Sequence, residues 1–192
     1  VDPGTVIVLN GGDRFTPSLN VNASINYPAE SMQMKVSLGD RCEGGTWEDF
    51  PGTGMTSKAL SLPAAAANAT SFASVQFSDF DFQLSDCYKA SITHDNLPPE
   101  ILFQTYPTTS LQEGQSAQII YDVRDLGVGL SSVECRLNTV VHACVGGRAT
   151  VQIPPLASGS YSFETKARDV YGLESSRNVT WQVTAANRQI EH

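Results

Sequence analysis

Apolar residues in this chain recur at every second position over run after run, and that period admits strands and little else. Leu19, Val21, Ala23 and Ile25 alternate with Asn20, Asn22 and Ser24. Met32, Met34, Val36 and Leu38 alternate with Gln33, Lys35 and Ser37. Ala117, Ile119, Tyr121 and Val123 repeat the pattern, as do Tyr161, Phe163, Thr165 and Ala167, and then Val179, Trp181 and Val183. A strand of this kind buries one face and wets the other, which predicts all-β architecture with antiparallel sheets. No segment matches a helical period as well. The alanine-rich run from Pro63 to Thr70 is two turns long, too short to stand alone as a helix, and is predicted as a loop.

Turn chemistry punctuates these runs at short intervals: Asn10-Gly-Gly12, Gly44-Gly45, Pro51-Gly52, Glu113-Gly114, Gly146-Gly147 and Ser158-Gly159. Many short strands so separated describe a sandwich or barrel. The chain has 192 residues, enough for two such domains. Asp95-Asn-Leu-Pro-Pro99 falls near its centre, and prolines there hold the backbone extended while withdrawing donors from any ladder. The expected domains are therefore 1–95 and 96–185, with 186–192 leading to a further domain beyond this segment. An internal repeat supports the division. Asp79 and Ser85 match Asp169 and Ser175 at a displacement of 90 residues, each Asp closing an alternating strand. Both side chains are placed to hydrogen-bond turn backbone.

Composition narrows the class. Hydrophobic residues make up 41%, a globular share, and the formal net charge of -8 disfavours binding to nucleic acid or to an anionic membrane surface. No run reaches the roughly 18 apolar residues of a membrane helix, so membrane contact would pass through segments outside this chain. The chain starts at Val1 and stops at His192 without turn chemistry, and is read as part of a longer polypeptide. Its four cysteines form no Cys-x-x-Cys, and His94 and His142 are not at zinc-finger spacing. Two cysteines per half, among Gly, Pro, Ser and Thr, fit one disulfide per domain in an oxidising, extracytoplasmic compartment. Four buried thiols are the alternative.

The second half carries a family resemblance. Leu97-Pro-Pro99 opens it, Glu113-Gly-Gln115 leads into a strand, and Asp125 and Gly129 precede Val133, Cys135 and Leu137. Gly159-Ser-Tyr161 then leads to Ala167-Arg-Asp169, Tyr171-Gly172 and a strand ending at Trp181-Gln-Val183. In that order these features resemble the bacterial immunoglobulin-like and fibronectin type III-like modules found in tandem on secreted and surface proteins. The first half is similar but divergent, through Asn10-Gly-Gly12, Cys42, Trp47, Phe77-Ser-Asp79 and Ser91-Ile-Thr-His-Asp95, and its sheet order between Phe50 and Thr70 stays open. The resemblance implies two consecutive immunoglobulin-like β-sandwich domains, used as stalks or adhesive arrays without an active site. With the division above, the expected disulfides are Cys42 with Cys87 and Cys135 with Cys144. Cys42, Cys87 and Trp47 only partly fit the arrangement in which a disulfide crosses a sandwich over a buried Trp. The stiff connection further predicts a rod of about 80 Å.

Reactive constellations are thin. There is no Gly-x-Ser-x-Gly, and His94, His142 and His192 stand apart from any partner pattern, so no catalytic residue and no cofactor is assigned. Acidic residues gather at Asp79, Asp81 and Asp86 and, around Cys42, at Asp40, Glu43, Glu48 and Asp49. Calcium takes six to eight oxygens from such loops, but neither group has the spacing of a calcium loop, and both read as solvated turns. Asp95 beside the linker is a candidate for a junction site. Lys35 alternates onto an outer face, which argues against a covalent Lys–Asn cross-link. Asn22, Asn68 and Asn178 lie in Asn-x-Ser/Thr sequons, which matter only in a eukaryotic secretory setting. The expected function is a non-enzymatic spacer or interaction segment of a bacterial surface protein, with protein or surface glycan as partner. The alternative is carbohydrate recognition between Gly44 and Pro63, where Trp47 and Phe50 would stack on a sugar if exposed rather than buried.

Overall fold

In the computed structural model, which describes residues 6–27, 30–49 and 54–186, each alternating run is a strand. The chain divides into two compact units, one ending at Asn96 and the other beginning at Leu97. The first holds β1 (Ile7–Leu9), β2 (Phe15–Thr16), β3 (Asn20–Asn26), β4 (Ser31–Leu38), β5 (Trp47–Asp49), β6 (Met55–Ser61), β7 (Ala69–Asp79) and β8 (Tyr88–His94). The second holds β9 (Glu100–Thr105), β10 (Leu111–Gln112), β11 (Ala117–Arg124), β12 (Leu130–Leu137), β13 (Val140–His142), β14 (Gly147–Ile153), β15 (Gly159–Asp169) and β16 (Glu174–Thr184). The expected C-terminal linker lies, past residue 186, outside the described residues. Pro63 to Asn68 is a loop, as its length predicts.

Both units are immunoglobulin-like sandwiches with one topology. In the first, a three-stranded sheet ordered β1-β3-β6 faces a five-stranded sheet ordered β2-β8-β7-β4-β5. In the second, β9, β11 and β14 form the small sheet and the large one runs β10-β16-β15-β12-β13, so strands eight places apart in the chain occupy equivalent positions. Even the irregularities repeat. The β4–β7 ladder shifts register between Ser31 and Gln33, opposite Asp79, and the β12–β15 ladder shifts between Leu130 and Ser132, opposite Asp169. The sheets are antiparallel as expected, except for one two-residue parallel pairing at the edge of each large sheet. β2 runs parallel to β8 and β10 parallel to β16, each over two residues. In each unit the opening strand begins in the small sheet and the chain then crosses to the large one, where it lies beside the last strand.

Inward residues form one core per unit. Val21, Ala23 and Ile25 on β3 meet Ala73, Val75 and Phe77 on β7. In the second unit Ile119, Tyr121 and Val123 meet Phe163, Ala167, Val179 and Trp181. At roughly 25 cal/mol per Å² of apolar surface removed from water, these clusters carry the main stabilisation of each sandwich. The Asp pair acts as the repeat predicts, whereas the two serines part ways and Ser175 bonds the opening segment of its own unit rather than its turn. Asp79 Oδ1 accepts the N–H of Asp81 at 2.9 Å and of Gln83 at 2.8 Å, and Asp169 Oδ1 accepts that of Leu173 at 2.8 Å. Ser85 Oγ accepts the N–H of Phe77 at 3.0 Å, while Ser175 Oγ donates to the carbonyl of Pro99 at 2.5 Å.

The disulfides join Cys42 to Cys87 and Cys135 to Cys144. The second sits on the β12–β13 hairpin with Cys135 inside the core. The first departs from an inter-sheet bridge over a buried Trp. Cys42 follows β4 and Cys87 precedes β8, the two strands that flank β7 in one sheet. The segment 39–46 folds back over the outer face of that sheet: Cys42 N–H donates to Ser74 Oγ at 3.0 Å, and Ser37 Oγ donates to the Gly44 carbonyl at 2.8 Å. Ser74 points away from the core yet is 0% exposed, because this flap and its disulfide cover it.

Candidate functional site

The flap sets where β5 begins, and β5 carries the Trp singled out from sequence. Gly45 makes the tight approach possible. Its φ of +75° lies in the left-handed region, and a Cβ there would stand 2.3 Å from the Val36 carbonyl oxygen. Two residues later Trp47 pairs with Lys35 across the β4–β5 ladder, followed by Glu48 opposite Met34 and Asp49 opposite Gln33. β5 is an edge strand of three residues, so it has one neighbour and little cover.

Trp47 is 37% exposed, which removes it from the core. The Lys35 ammonium lies 5.2 Å from the centre of its ring, a cation–π contact over one part of the indole surface. Lys35 therefore stands on the outer face, as its alternation predicts. Phe50 lies outside the described residues. Around Trp47 the carboxylates are engaged: Asp49 Oδ1 accepts from Gln33 Nε2 at 2.9 Å, and Glu48 pairs with Lys58. Lys58 comes from β6, the edge of the opposite sheet, so this ion pair links the two sheets at their open side. Sequence reading missed it because β6 has no apolar alternation. Its less exposed positions are Thr56, Lys58 and Leu60, facing Ile25, Ala23 and Val21. The arrangement offers a part-exposed indole flanked by acid and amide groups, able to stack on a flat, weakly polar surface.

The other sequence candidates resolve individually. The Asp79 turn is closed on itself, its carboxylate capping two backbone amides. Asp40 lies 3.9 Å from Arg41 on the surface. Asp95 is buried in the first unit, where its N–H donates to the Thr16 carbonyl at 2.9 Å. His142 packs its ring 6.5 Å from that of Phe163, and His94 ends β8; among the described residues neither hydrogen-bonds to a nucleophile or a carboxylate. His192 lies outside the described residues. Asn22 accepts from Ser57 Oγ at 2.6 Å, and Asn178 is exposed on β16. Among the described residues no helix is long and apolar enough to cross a membrane.

No family model matches the chain, and no curated protein matches it. Solved structures of low likeness include fibronectin(III)-like modules of Clostridium thermocellum CbhA, with 12% identity over 97% of this chain and 98% of that one, at a TM-score of 0.38. The D00-D0 domain of intimin has 14% identity over 93% of this chain and 100% of its own, at 0.43. A protocadherin gammaB7 EC3-6 structure has 15% identity over 95% of this chain and 48% of its own, at 0.44. The sandwich assignment itself stands on the strand pairing described above.

Proposed function

We propose that this chain is a non-enzymatic, extracytoplasmic spacer or adhesion segment of a bacterial surface protein, presenting a neighbouring domain. The observation that carries the reading is the duplication. Two sandwiches share one strand order, one bulge position and one capped turn, and each holds its own disulfide. Repeating a self-contained unit with a separate core extends reach without creating a new site, and disulfides accord with an oxidising compartment. The test is a display experiment. Placed between a cell-surface anchor and a small binding tag, the chain should increase capture of the tag by large antibody-coated beads as well as an unrelated tandem sandwich of equal length. Capture no better than with the tag placed directly on the anchor refutes the spacer reading.

A second reading, recognition of a surface glycan, rests on the exposure of Trp47. Retention of the native chain on a glycan array, lost in Trp47→Ala, would establish it. An array on which both proteins behave alike removes it.

A further inference from the structure

The two units differ at one end in a way that their shared topology isolates. In the second unit, Asp125 follows β11 directly, and its Oδ2 accepts the N–H groups of Gly127 at 2.9 Å and Gly129 at 2.7 Å. Asp169 closes β15 and uses Oδ1 for the turn to Leu173. The two loops are latched to each other: Val170 N–H donates to the Gly129 carbonyl at 3.0 Å, and Ser131 Oγ donates to the Asp169 carbonyl at 2.6 Å. The remaining oxygens, Asp125 Oδ1 and Asp169 Oδ2, are buried without a hydrogen-bond partner among the described residues, and Asp169 is 1% exposed. A carboxylate oxygen of Asp125 and one of Asp169 lie within 4.8 Å of each other.

Two carboxylates so close, one of them out of water, repel each other, and a cation held between them would offset that repulsion. The basic side chains beside them in sequence are engaged elsewhere, Arg124 with Asp122 and Arg168 with Glu174. In the first unit Asp79 closes the equivalent turn, but the residue directly after β3 is Tyr27, so the counterpart of Asp125 is missing there. We propose that Asp125 and Asp169 are ligands of a divalent cation of the calcium class at this end of the second unit. The donors are hard oxygens, and two ligands of one calcium ion can stand up to about 5 Å apart, whereas magnesium limits them to about 4.2 Å. Such an ion would lock the Asp125 loop to the Asp169 turn, goes beyond the spacer reading and does not depend on it.

The experiment uses the full two-domain chain, treated with chelator and titrated with calcium chloride in a calorimeter. Binding heat is expected, with a rise of about 10–15 °C in the melting of the second unit at roughly a hundredfold excess over the dissociation constant. Amide exchange should slow at Gly127, Gly129 and Leu173. Asp125→Asn keeps an acceptor for the glycine amides while removing the charge, and should abolish the heat and the melting shift; Asp79→Asn should leave both unchanged. Absence of heat and of any melting change in the unaltered chain overturns the proposal. So does slowed exchange confined to other loops, a response that survives in Asp125→Asn, or one lost in Asp79→Asn. The exchange measurement on the unaltered chain decides the matter even if a variant does not fold.

Discussion

Phe82 occupies in the first domain the turn position that Gly172 occupies in the second, and both have left-handed backbone, at φ 59° and 91°. Each donates its N–H to the Asp that closes the preceding strand, Phe82 to the Asp79 carbonyl and Gly172 to that of Asp169, both at 3.2 Å. Glycine adopts this conformation freely, whereas a side chain there crowds its own carbonyl. The duplicated fold thus contains its own control for the strain at Phe82.

Phe82→Gly should raise the stability of the first domain by about 0.5–1 kcal/mol, because the ring is 73% exposed and leaves no cavity behind. Gly172→Ala should lower that of the second by about 1 kcal/mol. Denaturant unfolding of both variants checks the pair. Equal and unchanged midpoints would show that the turn relaxes around either residue.

Gly45→Ala should be far more damaging, about 2–4 kcal/mol, since its Cβ would meet the Val36 carbonyl oxygen at 2.3 Å on a left-handed backbone. The flap would lift and Trp47, two residues on, would lose its contact with Lys35. Quenching of Trp fluorescence by iodide should increase in a Trp181→Phe background, where Trp47 alone reports. Unchanged quenching would mean that β5 is held in place without the flap.

Removing both Cys42 and Cys87 should cost about 4 kcal/mol in the chain-entropy account of a 45-residue separation, and removing Cys135 and Cys144 about 2.6 kcal/mol for a separation of 9. Pulling on single molecules reads the same loops as length. Reduction should add about 150 Å to the unfolded extension from the first loop and about 30 Å from the second. A mixed pairing would change both increments.

Glu174 accepts hydrogen bonds from Lys166, whose Nζ is 3.0 Å away, and from Arg168, whose Nε is 2.8 Å away. These two cations hold its carboxyl below the usual glutamate range. With the folded-state value depressed, the stabilisation is present above the ordinary glutamate range and is lost as pH falls through the depressed value. Glu174→Gln should flatten that part of the acid unfolding curve, and salt should shrink the difference because the cluster is exposed. A difference that grows with salt would contradict this assignment.

Alternation alone sufficed for most of the fold. Over the central residues of β3, β4, β11, β15 and β16 the inward positions are apolar or small, so most residue pairs state locally which side is wet. The repeat of Asp79 and Asp169, and the turn bonds they make, were legible for the same reason: a cap acts on amides a few residues away. Sequence alone did not reveal β5 and β6, because edge strands bury too little to require a pattern and Lys58 can face inward while its amine reaches Glu48 at the rim. Nor did it decide whether Trp47 was core or surface; a three-residue strand has no period, and the flap that fixes its position folds over a sheet whose strands come from distant parts of the chain. The partnerless oxygens of Asp125 and Asp169 belong wholly to the tertiary level. Each residue by itself reads as a turn cap, and only the closing of the sandwich brings two capped turns to one end, with a carboxylate oxygen of each within 4.8 Å of the other. Local chemistry is written residue by residue, but the proximity of like charges is a property of the packed chain.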